Sequence, residues 1–216
     1  MIECFWCSSP NSEERREIAR HTFEVWQGLE VDLIPLTPEF LNVNHFSFQK
    51  ARRQYAEANA LGKFYILVDD DCLPSENNDT IQFILEDLET HPQFGIISAW
   101  PIESTMGRWT PEGYEIFEDA HVIEHHDVGG LRFVRKGCMK DWPEQTRLGY
   151  DYEHCEALRA EKWLVGHSKH GKYLHFGEGQ SDLWNQRLPS EIAQLTLDGV
   201  VDYLGTMLHP PKIGKR

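Results

Sequence analysis

The sequence predicts an α/β fold built on a parallel sheet covered on both faces, and three observations carry that expectation. Short apolar runs alternate with segments of helical period through the first hundred residues. Those runs are nearly continuous in apolar side chains, as strands covered on both faces are. Gly, Pro or a capping residue stands at the segment boundaries, where helices and strands must stop.

The elements follow in order. Residues 2–7 (IECFWC) read as a strand. Asn11, with Glu14 in the capping-box position, opens a helix whose inner face is Ile18, Thr22, Val25 and Trp26 and which ends at Gly28. Val31 to Leu36 is a second strand, closed by Thr37-Pro38. Residues 47–61 form a helix with Ala51, Tyr55 and Ala58 on one side and Gly62 at its end. Phe64 to Val68 is an apolar strand that runs into three consecutive aspartates, Asp69, Asp70 and Asp71. Asp79 caps a helix with Ile81, Ile84, Leu85 and Leu88 on the 3.6-residue period; Pro92 stops it, and Phe94 to Trp100 is the next strand. Such an alternation is Rossmann-like, and its ligands belong at the carboxyl ends of the strands, where the aspartates lie.

Beyond residue 101 the pattern changes. Residues 101–130 read as loops with one or two strands, LRFVRKG (131–137) as a strand entering a turn, and Asp151 to Lys162 as a helix. KYLHF reads as a short strand and Ser190 to Leu204 as a closing helix.

Composition narrows the function. The chain has 216 residues, 40% of them hydrophobic, and no run of the roughly 18 apolar residues that a membrane span needs. The N-terminus has no basic stretch leading into an apolar one, so a soluble, cytoplasmic protein is expected. A net charge of −14 opposes a duplex nucleic-acid surface, although a modified-base acceptor held by local contacts stays open. Of the five cysteines, Cys4 and Cys7 form a CxxC with no second pair to complete a zinc site, and buried thiols are the expectation.

Three adjacent carboxylates at the end of an apolar strand need a cation, or protonation of one member. In an extended segment Asp69 and Asp71 project to one side and suit Mg²⁺ or Mn²⁺, which take carboxylates plus substrate phosphates, while Asp70 points away. An acidic turn is the plain alternative. The run ARRQYAEANALGKFYILVDDDCLP resembles the GT-A glycosyltransferases of the family 2 type, in which an Ala-Arg-Asn helix precedes a Gly, an apolar strand and an Asp-x-Asp motif. Ala51-Arg52-Arg53, Gly62 and Asp69-Asp70-Asp71 stand at those places, with Arg53 where the family has Asn. GYDYEHCEALRAEKW resembles the family's Gly-Glu-Asp helix, with Gly149, Tyr150 in place of Glu, Asp151, Glu153 and Arg159; His175 in YLHFGEGQS fits its late metal-binding His.

The resemblance implies one GT-A domain over 1–216 on a mixed, mostly parallel sheet, with a nucleotide-sugar-binding half at 1–100 and an acceptor-binding and catalytic half at 101–216. It implies an inverting, metal-dependent transfer from a nucleotide-diphospho-sugar, a UDP-sugar being favoured, to an acceptor hydroxyl. Asp69, Asp71 and His175 would hold Mn²⁺ or Mg²⁺. Arg52, Asp69 and Asp70 would face the donor, and Asp151 would be the general base. Local readings compete with several of these roles. Asp151 also suits a helix N-cap, and Arg52 and Arg53 also suit a solvated helix face. His167 and His170 compete with His175, and His121 with His125 could pair on a metal. Trp100, Trp109 and Tyr114 suit stacking on a sugar, with core packing the alternative for Trp100. Gly177, Gly179 and Ser181 suit a closing loop or plain turns. Two rival functions remain: a haloacid-dehalogenase-like phosphatase with Asp69 as nucleophile, and a non-catalytic nucleotide-sugar-binding module.

Overall fold

The computed structural model describes residues 1–10, 13–101, 107–110, 113–116, 122–124, 128–138 and 150–176. The expected Asn11 cap, most of the HVIEHHD stretch, the GEGQS loop and the closing helix over 190–204 lie outside those residues.

The first elements are β1 (Ile2–Cys7), α1 (Glu13–Gln27), β2 (Val31–Leu36), α2 (His45–Asn59) and β3 (Phe64–Asp69). After a turn come β4 (Cys72–Pro74), α3 (Asn77–Thr90) and β5 (Phe94–Pro101). A small hairpin, β6 (Gly107–Thr110) with β7 (Gly113–Ile116), precedes β8 (Val122–Glu124), β9 (Leu131–Arg135), α4 (Tyr150–Ala160) and the long β10 (Leu164–His175). The main sheet runs β2-β1-β3-β9-β5-β10-β4, with β8 pairing β10 from the side. Parallel pairing joins β1 to β2 and β3, and β5 to β10. Strand β9 is antiparallel to both of its neighbours, β3 and β5. A strand from the second half of the sequence therefore sits in the middle of the sheet.

Alternation along the strands divides the core into two layers. Cys4, Trp6, Ile66, Val68 and Phe133 pack with Ile18, Ala19 and Trp26 of α1 and Ile81, Ile84 and Leu88 of α3. On the other side, Phe5, Cys7, Tyr65, Leu67 and Val134 pack with Phe48 and Ala56 of α2 and Cys155 and Leu158 of α4. Edge strand β2 is only half-buried and carries Pro35, which edge strands tolerate.

Three local expectations change. The most buried side of α2 is Phe48, Arg52, Arg53 and Ala56; of the expected residues Tyr55 packs half-buried against Phe5, Ala51 is half-buried and Ala58 is exposed, and Arg52 turns inward to Asp69. The two arginines are not a solvated face. Asp79 lies inside α3, whose N-cap position is Glu76, and Asn44 caps α2 by accepting from Ser47 N–H at 2.9 Å. KYLH is the last part of a twelve-residue strand, and Phe176 follows its end. Polar residues and Gly166 and Gly171 hide its beginning from a hydrophobicity reading. Gly171 lets α3 pack closely there, since a Cβ would lie 2.4 Å from Ile84 Cδ1 and force that buried side chain to shift.

Candidate functional site

The parallel strands β1, β3, β5 and β10 end on one side of the sheet, and the aspartates sit there at the end of β3, with Asp69 opposite Cys7. The chain turns at Asp70 and Asp71, so strand alternation stops at Asp69. This overturns the expectation that Asp69 and Asp71 share one side while Asp70 points away. The three carboxylates instead divide into two groups with separate partners.

Asp69 belongs with α2 and β9. Arg52 donates to its Oδ1, and Arg132 Nη2 donates to Oδ2 at 3.3 Å. Arg132 is completely buried in the middle of β9, whereas the Asp69 side chain keeps 24% exposure. Its Nε also donates to Val128 C=O. Start of α4 packs against the same cationic group: His154 is buried, and its pKa lies well below the usual histidine value because of burial first, then the charges of Arg53, Arg132 and Arg52.

Asp70 and Asp71 belong with α1. Arg15 bridges them, Nη2 to Asp70 Oδ1 at 3.0 Å and Nη1 to Asp71 Oδ2 at 2.8 Å. Ser8 Oγ, just past β1, donates to Asp70 Oδ2 at 2.8 Å. Burial, then the Asp71 charge, pushes the Asp70 carboxyl up to about 6 despite Arg15 and Ser8. Two further α1 side chains grip the backbone of this turn. Thr22 Oγ1 donates to Asp70 C=O at 2.7 Å and Trp26 Nε1 to Cys72 C=O at 2.9 Å.

His175 arrives from β10. Antiparallel pairing with β4 sets it opposite Cys72, and its Nε2 lies 3.2 Å from Asp71 Oδ2. Phe176 N–H donates to Asp71 C=O at 2.7 Å and fixes the register. Burial raises the Asp71 pKa, but the hydrogen bond and charge interaction with His175, then those with Arg15, outweigh it and hold the carboxyl well below its usual range. Cys72 Sγ approaches Asp71 Oδ1 at 3.4 Å. Burial, then the charges of Asp71 and Asp69, raises the thiol pKa. Asp71, Cys72 and His175 each offer a donor atom within 4.8 Å of the other two.

The predicted residues are thus brought together in part. Arg52 meets Asp69, and His175 meets Asp71. The competing histidines stand elsewhere: buried His167 bonds Ala99 C=O through Nδ1 at 3.0 Å and meets the Trp100 ring edge-on, and exposed His170 neighbours Phe83. Trp100 is buried, in keeping with core packing. Trp109 and Tyr114 are cross-strand partners in the β6–β7 hairpin. Asp151 is the second residue of α4, and the side chains of residues 150–153 are outside the described set. Four partners went unforeseen: Ser8, Arg15, Cys72 and Arg132. Arg132 carried a signal, a lone cation inside the apolar strand LRFVR, which burial would force to find a carboxylate. Arg15 carried none, since EERREIAR reads as an ordinary charged helix face.

At Asp71, Cys72 and His175 a carboxylate, a thiol and an imidazole converge, a donor set of the kind that holds a cation, with Arg15 on the Asp71 Oδ2 that also meets His175. Asp69 is already matched by two guanidiniums.

No family model matches the sequence, and no curated protein does. Solved structures match the fold. Residues 1–349 of TarS from S. aureus are 12% identical with a TM-score of 0.52, over 82% of this chain and 61% of that one, so the chain spans under two thirds of TarS. A197 from STIV is 14% identical, TM-score 0.49, over 82% of this chain and 87% of that one. GalNAc-T7, solved with UDP, GalNAc and Mn²⁺, is 12% identical, TM-score 0.47, over 80% and 37%. The mixed α/β sheet is of the GT-A type that the sequence predicts.

Proposed function

We propose that this chain is a metal-dependent glycosyltransferase that moves a sugar from a nucleotide-diphospho-sugar, by preference a UDP-sugar, to an acceptor hydroxyl with inversion. One observation carries the reading: a carboxylate at the end of β3, Asp71, and an imidazole at the end of β10, His175, meet at 3.2 Å where a GT-A fold keeps its ligands. The family 2 type of the sequence resemblance is part of the proposal, as is the division into a donor half, 1–100, and an acceptor half, 101–216.

Asp71 and His175 hold the divalent ion, with Asp69 and Asp70 beside them. When bound, the ion stabilises the negative charge that develops on the departing diphosphate. Arg52, buried against Asp69, steadies that carboxylate beside the donor's phosphates. Asp151 takes the proton of the acceptor hydroxyl as that oxygen attacks the anomeric carbon and the carbon–phosphate oxygen bond breaks on the opposite face. The Arg52–Asp69–Arg132 clamp argues against the phosphatase reading, because a carboxylate held by two guanidiniums is a poor nucleophile.

The test is calorimetric titration of UDP, GDP and dTDP into the full chain, with and without Mn²⁺ or Mg²⁺, for the wild type and Asp71→Asn. One nucleotide diphosphate should bind in a metal-dependent manner, and Asp71→Asn should weaken it at least tenfold. Absence of binding under every condition overturns the transferase. Donor binding without transfer or hydrolysis across an acceptor screen would leave the binding module instead.

A further inference from the structure

Cys72 has no part in the function just described, yet it is built into the same corner. It opens β4, and the β4–β10 register sets it opposite His175. Its carbonyl is held by Trp26 Nε1 and that of Asp71 by Phe176 N–H, so neither backbone is free to drift. Arg15 and His175 both meet Asp71 through Oδ2, which leaves Oδ1 facing the Cys72 sulfur at 3.4 Å.

The spacing has a chemical meaning. Bonds of about 2.0–2.3 Å from a tetrahedral ion to N, O and S donors put neighbouring donors roughly 3.3–3.7 Å apart. His175 Nε2 lies 3.2 Å from Asp71 Oδ2 and Cys72 Sγ lies 3.4 Å from Asp71 Oδ1, the two oxygens of one carboxylate, and one donor atom from each of the three residues lies within 4.8 Å of the other two. A hard ion such as Mg²⁺ wants six oxygens in octahedral array; a mixed carboxylate, imidazole and thiolate set suits a softer one.

We propose that Cys72, as a thiolate, is the third protein ligand beside Asp71 and His175, and that the site therefore selects Zn²⁺ or Co²⁺ over Mn²⁺, and Mn²⁺ over Mg²⁺. This rests on the reading of Asp71 and His175 as a cation site and names the class of ion it takes. On binding, the sulfur–hydrogen bond of Cys72 breaks, its proton passes to solvent buffer and a sulfur–metal bond forms; nothing is oxidised or reduced. His175, with 18% of its side chain exposed, lies on the accessible side of the group and gives its Nε2 lone pair to the ion in place of the contact with Asp71. Three protein donors leave a coordination position for an incoming oxygen ligand.

Titration of the full chain with Co²⁺, followed by absorption spectroscopy, tests this. A thiolate-to-cobalt charge-transfer band should grow in the near ultraviolet and saturate at one equivalent. It should disappear in Cys72→Ser, persist in Cys7→Ser, bleach with Zn²⁺ and resist a hundredfold excess of Mg²⁺. X-ray absorption at the zinc edge of the Zn²⁺-loaded wild type should show a sulfur neighbour at about 2.3 Å, a readout that needs no variant to fold. Calorimetric Co²⁺ binding that Asp71→Asn abolishes, without a charge-transfer band or a sulfur neighbour, would overturn the role of Cys72 and leave the Asp71–His175 site standing. Failure of Co²⁺, Zn²⁺ and Mn²⁺ alike to bind would overturn both.

Discussion

His154 shows how the site stores electrostatic stress at a single side chain. Its folded pKa lies below the unfolded value of 6.5, through burial and then through Arg53, Arg132 and Arg52. The unfolded chain therefore takes up a proton at pH 6.5 that the folded one refuses. The stability that depends on a neutral His154 is complete above pH 6.5 and is lost as the pH falls toward the folded pKa. Asp70 works the other way: with a folded pKa of about 6 it stabilises below the ordinary carboxylate value of 3.8, and that contribution is lost as the pH rises through 6. Comparison with His154→Gln separates the two, because Asp70 is common to both proteins. In urea unfolding at pH 8, 6.5 and 5, the wild type should lose ground against the variant below pH 6.5, by up to about 1.4 kcal/mol per pH unit. A constant difference between the two would show that His154 titrates normally.

At the scale of the element, α1 is a brace for the aspartate turn. Arg15, Thr22 and Trp26 lie on one side of the helix and bind the Asp70–Asp71 carboxylates, the Asp70 carbonyl and the Cys72 carbonyl respectively. Trp26→Phe keeps a ring in the core but leaves the buried Cys72 carbonyl without that donor, which should cost about 2 kcal/mol. The urea midpoint should fall at unchanged slope, and divalent-ion affinity should fall with it if the brace positions the site. Much of this element was legible beforehand. Ile18, Thr22 and Trp26 were on the expected inner face, because apolar periodicity marks whatever packs on a sheet. Helix α2 was legible only in part: Tyr55 packs on the core, but periodicity counts arginine as outward-facing, and Arg52 and Arg53 are buried, Arg52 against Asp69. The meeting of Asp71 with His175 followed from motif order. The bridge from Arg15 did not, since nothing local distinguishes it from Arg16, which pairs with exposed Glu13. The turn at Asp70 and Asp71 was missed because three like residues carry no punctuation.

For the whole molecule, a net charge of −14 surrounds the site proposed to take a cation. Such a field concentrates divalent ions near the surface and fades as salt shortens the screening length from about 30 Å at 0.01 M to about 10 Å at 0.1 M. Mn²⁺ affinity, read from the free-ion electron paramagnetic resonance signal, should weaken roughly three- to tenfold from 10 to 150 mM KCl. An affinity indifferent to salt would mean that only the adjacent groups matter. Among the described residues no helix is long and apolar enough to cross a membrane.

The place of β9 also bears on how the chain is made. Val68 pairs with Leu131, and Asp69 N–H donates to Gly130 C=O at 3.1 Å. A ribosome that has delivered the first hundred residues has supplied β3 but neither its inner neighbour nor Arg132. At that moment one edge of β3 lies open to any passing strand, and Asp69 lacks half of its counter-charge. The nascent chain must wait for residues 131–135 before its two halves can close on one another.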